Sequence, residues 1–100
     1  MVKKIGTLTW SNAQFRHEQY RPILVQLSND CQNRMILRHL IKYGSITQEE
    51  AVDRYKVYRL SARIANLREM NVNIATFFEE NKGRKGQHAR YFLEEREEGQ

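Results

Sequence analysis

The sequence predicts an α+β fold in which helices come first and a β-hairpin comes last. Three observations carry this. Two helix-start signals lie less than twenty residues apart, at Asn29–Gln32 and Thr47–Glu50. Apolar residues recur at helical spacing after each of them. Beyond Met70 the apolar period changes from helical to alternating, as it does where a chain passes from helix to strand. One hundred residues support a single core, and the 40% hydrophobic content is ordinary for a globular chain.

The first 28 residues read as an extension packed on the domain. Ile5–Trp10 alternates weakly, as a short strand does, and Ser11 is placed to cap a helix over Ser11–Tyr20. Pro22 is expected to kink or end that helix. Ile23, Leu24 and Leu27 then suggest a second short one.

The domain itself is expected over residues 29–95, with 96–100 as an acidic tail. Asn29 and Gln32 have the spacing of a capping box, and Ile36, Leu37, Leu40 and Ile41 lay one apolar stripe on the helix that follows. Gly44 sits where a left-handed residue closes a helix, so the expected span is Asp30–Tyr43. Thr47-Gln-Glu-Glu50 is a second capping box, with Ile46 as its hydrophobic staple. Its helix is short, reaching about Tyr55 with Ala51, Val52 and Tyr55 inward. No glycine or proline ends it. A new apolar phase (Val57, Leu60, Ile64, Leu67) marks the break and opens a third helix over Tyr58–Met70. Two helices so joined form a helix-turn-helix. Asn73–Glu79 and Tyr91–Leu93 then read as strands around the glycine-punctuated turn Asn81–Gln87.

Charge is distributed unevenly. Lysine and arginine total 17 against 12 acids, with a pI near 9.6. Lys56, Arg59, Arg63 and Arg68 occupy one stretch without an acid, and Lys82, Arg84, Lys85 and Arg90 occupy another. The stretch Glu94–Gln100 carries four glutamates against one arginine. A basic helix followed by a basic hairpin tip suits a polyanion.

With Leu60 at 0° and 100° per residue, Ile64 and Leu67 define the buried side of the third helix. Tyr58, Arg59, Ala62, Asn66 and Glu69 then fall on the outer half and Arg63 on a flank. Arginine pairs bidentately with guanine and asparagine with adenine, while alanine admits close approach, so this set suits a major groove. Lys82, Arg84 and Lys85 suit the phosphate backbone, giving orientation and salt-dependent affinity rather than sequence choice. The competing account of both sets is a solvated surface. Arg38 and Lys42 on the first helix read as solvated.

In Gly44-Ser-Ile-Thr47, Glu50-Ala51, Tyr58-Arg-Leu-Ser-Ala-Arg-Ile64, Leu67-Arg68 and Ala89-Arg-Tyr91 with Leu93, the chain resembles the small winged helix-turn-helix DNA-binding proteins of bacteriophages and prophages. The resemblance runs from about Asp30 to Leu93. It implies a three-helix core plus a C-terminal β-hairpin wing, and a DNA-binding module of a regulator or an excisionase-like accessory factor. Lys56 departs from it, since a small residue is more usual in that turn.

Other functions find little support. His17, His39 and His88 lack metal-ligand spacing, and no nucleophile motif occurs, so neither catalysis nor a metal is expected. Gly83-Arg-Lys-Gly86 lacks the spacing of a phosphate-binding loop, and no small-molecule cofactor is expected. Cys31, the only cysteine, reads as a buried thiol in a reducing compartment. No apolar run reaches membrane-spanning length, and the start lacks a signal-peptide pattern, so the expected place is the cytoplasm of a bacterial host. The alternative from another class is a protein–protein module. Alternation puts Ile74, Thr76, Tyr91 and Leu93 on the core face and leaves Phe77 and Phe92 on the other. The expectation is that Trp10, Phe15 or Ile23 covers them, with a homodimer across that face as the alternative.

Overall fold

The computed structural model describes residues 2–5, 8–28 and 31–95, with side chains described from residue 14 onward. Strands β1 (Val2–Ile5) and β2 (Leu8–Ser11) form an antiparallel hairpin. Helix α1 (Asn12–Leu24) follows directly and runs through Pro22. Pro22 therefore neither ends nor divides this segment. It stands in the last turn, where the one amide bond it removes costs less than the burial of Tyr20, Ile23 and Leu24 around it provides. Ile23 and Leu24 close α1 and belong to no second helix.

Helix α2 (Gln32–Tyr43) begins two residues later than its pattern suggested. Its N-cap is Cys31, whose side chain makes no capping bond; Asn29 lies outside the described residues. Cys31 is half-buried rather than buried. The expected stripe is the core face: Ile36, Leu37, Leu40 and Ile41 are all buried. Gly44 closes the helix at φ 89°, a conformation that costs other residues strain, and its N–H bonds to Leu40 O at 2.8 Å.

Strand β3 (Ser45–Thr47) is the element that its sequence conceals. Three residues are too few to show a period, and Ile46 and Thr47 read as staple and cap. Both roles hold: Ile46 is fully buried, and Thr47 caps helix α3 (Gln48–Tyr55). The box is reciprocal. Glu50 N–H donates to Thr47 Oγ1 at 3.2 Å, and Thr47 N–H donates to Glu50 Oε1 at 2.9 Å. Lys56 ends α3 in the left-handed region at φ 57°, which explains how the helix stops without glycine or proline.

Helix α4 (Leu60–Glu69) buries Leu60, Ile64 and Leu67. It ends in a paired C-terminal motif: Val72 N–H reaches Leu67 O and Asn71 N–H reaches Arg68 O, both at 3.1 Å, with Asn71 at φ 69°. Strands β4 (Ile74–Glu80) and β5 (Gln87–Leu93) form the expected hairpin, and β5 also pairs with β3. The result is an antiparallel sheet in the order β3-β5-β4.

One core joins these layers. Tyr20, Ile23 and Leu24 of α1 meet Ile36, Leu37 and Leu40 of α2, Leu60, Ile64 and Leu67 of α4, and Ile74 and Leu93 of the hairpin. Tyr20 is fully buried, and its hydroxyl is matched at both ends. It donates to Glu94 O at 2.5 Å and accepts from Asn73 N–H at 3.2 Å. Thus α1 is tied to the points where the hairpin begins and ends. No helix among the described residues is long and apolar enough to cross a membrane.

Candidate nucleic-acid interface

The expected third helix over Tyr58–Met70 starts late. Residues 56–59 form the turn between α3 and α4, so Tyr58 and Arg59 precede the helix rather than belong to it. The cause is a side chain twelve residues upstream. Gln48 Oε1 accepts from Leu60 N–H at 3.2 Å, and Gln48 Nε2 donates to Tyr58 O at 2.9 Å. Gln48 therefore caps α4 from the first turn of α3, while Val57, fully buried, anchors the turn beneath it. Both Tyr58, 68% exposed, and Arg59 project from this entry.

The outer face of α4 also differs from the phase argument. Ala62, Arg63 and Asn66 are half-buried, whereas Ser61, Ala65, Arg68 and Glu69 are exposed. Leu60, Ile64 and Leu67 fix only the side turned to α2. Because α4 also packs against α3, one further flank is covered and the open face is rotated. Ser61 and Ala65 lie about 100° and about 140° from Leu60, on the outer half as well, and extend the exposed entry by one turn.

Arg68 has a structural task. Its Nε and Nη2 donate to Ile74 O at 3.2 and 3.0 Å, and Nη2 also reaches Thr76 Oγ1 at 2.8 Å. It pins the end of α4 to the start of the hairpin. Arg90 is likewise engaged: Nε donates to Glu79 Oε2 at 2.9 Å, and Nη1 lies 3.5 Å from Glu50 Oε1. Neither arginine belongs with the free cations, although both were counted in the basic stretches.

Lys82, Arg84 and Lys85 are exposed on the turn between β4 and β5. Asn81 shapes that turn. Its N–H bonds to Gly86 O at 3.0 Å and its Nδ2 donates to Lys85 O at 3.3 Å. Its Oδ1 lies 2.7 Å from His88 Nδ1, and His88 Nε2 lies 2.8 Å from Glu79 Oε1. The Glu79 carboxyl is held below its ordinary value by the Arg90 guanidinium first and by His88 second. A polar chain thus runs from Glu50 through Arg90, Glu79 and His88 to the tip and fixes where the three cations stand.

The two faces of the hairpin differ. Thr76 and Tyr91 pair in register on one face, where Tyr91 packs against the core but Thr76, expected there too, is exposed beyond its edge. Phe77, Glu79, His88, Arg90 and Phe92 share the outer face. The outer face and the start of α3 enclose a groove lined by the carboxylates of Glu49, Glu50, Asp53, Glu79 and Glu80 and by the basic side chains of Lys82, Arg84, His88 and Arg90. Phe77 and Phe92 meet edge to face with ring centroids 5.3 Å apart, yet they remain 57% and 37% exposed. Among the described residues no side chain covers these rings fully. Ile23 lies in the core and Phe15 is half-buried elsewhere in α1, while the side chain of Trp10 lies outside the described residues. Among the described residues no three histidine, cysteine or acidic side chains gather as a metal site requires.

Residues 31–96 match the family model of the winged helix-turn-helix domain, about two-thirds of the chain. No curated protein and no solved structure matches.

Proposed function

The chain belongs to the winged helix-turn-helix family, and from that premise we propose that it binds double-stranded DNA sequence-specifically, with α4 entering the major groove and the hairpin tip resting on the backbone. Membership suggests DNA binding in general. One observation supports the finer assignment. The entry to α4 exposes Tyr58 and Arg59, the tip exposes Lys82, Arg84 and Lys85, and among the described residues none of these cations pairs with a carboxylate. Cations left unpaired at two prominences favour a polyanion over a structural role. In this reading Arg59 contacts base edges, with Tyr58, Ala62, Arg63 and Asn66 shaping the same surface. The three tip cations position the duplex. We assign it no catalytic step and no cofactor. The biological role proposed is that of a phage- or prophage-type regulator or excisionase-like accessory factor in a bacterial cytoplasm. It rests on the resemblance of Gly44–Thr47 and Tyr58–Ile64.

Arg59→Ala and Lys85→Ala separate reading from positioning. Arg59→Ala is expected to cost about 1–3 kcal/mol on a selected site and much less on random duplex. Lys85→Ala is expected to weaken both alike. Equal behaviour of the two variants on every sequence would refute the division of labour. The exposed Phe77–Phe92 pair favours a second reading, protein contact through the outer sheet face, with a homodimer as its simplest form. Sedimentation of Phe77→Ser against the parent chain tests it.

A further inference from the structure

A second cationic surface lies on α2. Arg34, Arg38 and Lys42 follow one another at intervals of four, a line of about 12 Å along one side of the helix. Like charges at this spacing repel and weaken a helix. No carboxylate among the described residues pairs with any of them. Arg34 Nη1, however, donates to Leu24 O and Leu27 O at 2.7 and 2.8 Å and ties α2 to the end of α1. That leaves Arg38 and Lys42 as the exposed cations of the line. Arg54, from the last turn of α3, extends the line: its guanidinium and the Lys42 ammonium each lie 5.2 Å from the centre of the Tyr43 ring. The line borders a groove of about 580 Å³ between α1, α2 and α3, and no aspartate or glutamate lines it.

This surface is not the side of α2 that packs on α4. Leu60, Ile64 and Leu67 of α4 and Ile36, Leu37 and Leu40 of α2 share one core, where the two helices pack together, while Arg38 and Lys42 are exposed. The lining also differs from a phosphate track. Half-buried Met35 and Tyr55 and the half-exposed Tyr43 leave apolar surface between the cations. A sugar–phosphate backbone has little apolar surface to bury there. An amphipathic acidic segment has both components, with carboxylates one helical turn apart for Arg38 and Lys42 and apolar side chains for the floor.

We propose that the α1–α2–α3 groove is a docking surface for an acidic amphipathic helix of a partner protein, leaving α4 and the hairpin tip open. The probe is a fluorescent helix-forming peptide with glutamate at every fourth position and leucine beside each, compared with its glutamine counterpart. With the full chain at physiological salt, the acidic peptide is expected to bind saturably and to shift amide resonances from Arg34 to Tyr43. Arg38→Glu with Lys42→Glu, both exposed positions, should weaken it at least about tenfold while leaving duplex affinity within about twofold, because distant charges are screened. Absence of saturable binding, or equal binding of the glutamine peptide or by the double variant, overturns the proposal. So does a loss of duplex affinity in the double variant as large as that of Lys85→Ala, which would make the groove part of a nucleic-acid surface.

Discussion

Replacing Gln48 by alanine tests how the entry to α4 is built. The side chain is exposed, so its loss leaves no cavity, and the whole effect passes through its hydrogen bonds. Gln48→Ala leaves the Leu60 N–H without its cap and the Tyr58 carbonyl without its 2.9 Å donor. Loss of a helix cap costs typically about 1 kcal/mol, and a neutral hydrogen bond contributes about 0.5–1.5. Water reaches the exposed Tyr58 carbonyl and offsets part of the second loss. The expected destabilisation is thus about 1–2 kcal/mol, with the midpoint of thermal unfolding lowered by roughly 4–8 °C per kcal/mol. Urea titration gives the stability, and amide exchange locates it: protection should fall at Leu60 and Ser61 and persist at Ile36 and Leu37. Gln48→Glu keeps the acceptor for Leu60 but sets a carboxylate oxygen against Tyr58 O, so it should recover only part of the loss. If Gln48→Ala leaves stability and Leu60 exchange unchanged, the cap across the turn is not what starts α4 at Leu60. The displacement of Tyr58 and Arg59 from the helix then needs another cause.

Tyr20→Phe removes a fully buried hydroxyl that satisfies both Asn73 N–H and Glu94 O, and it should cost about 1–3 kcal/mol in chemical denaturation. A loss below a few tenths would mean that α1 is not fastened to the hairpin by this group. Glu79 sets an acid limit. Its folded value lies below the ordinary 4.5, so its contribution is complete above about pH 4.5 and is lost as pH falls through the lower folded value. Glu79→Gln should flatten that part of the stability–pH curve, and an unchanged curve would contradict the pairing. Lys56→Gly should stabilise by up to about 1 kcal/mol in urea titration, because a left-handed residue with a Cβ is strained.

What was legible in the sequence is what local chemistry determines. Thr47 and Glu50 are three residues apart and cap each other; Gly44 adopts the one conformation for which glycine is suited. The stripe Ile36–Leu37–Leu40–Ile41 and the alternation around Phe77 each repeat often enough to show their period. What was hidden depends on partners distant in sequence. Strand β3 has only three residues and is defined by its pairing with Tyr91 and its neighbours. The Gln48 cap spans twelve residues, so the start of α4 could not be placed from Tyr58 onward. The open face of α4 depends on α3 as well as α2, and that moved Ala62 and Asn66 inward while Ser61, Ala65 and Glu69 stay exposed. Arg68 and Arg90 looked like free cations because their acceptors, Ile74 O, Thr76 and Glu79, lie on the following hairpin.

Salt dependence of duplex binding decides whether this chain acts on DNA through its exposed cations. With the full chain titrated into a generic duplex at increasing salt, log affinity is expected to fall linearly with log salt concentration. Lys82, Arg84 and Lys85 alone give a slope of about −2.7, and the arginines around α4 steepen it. The triple alanine variant of the tip should lose that share and still fold. Absence of duplex binding at low salt, or a slope that the triple variant does not change, would contradict this reading.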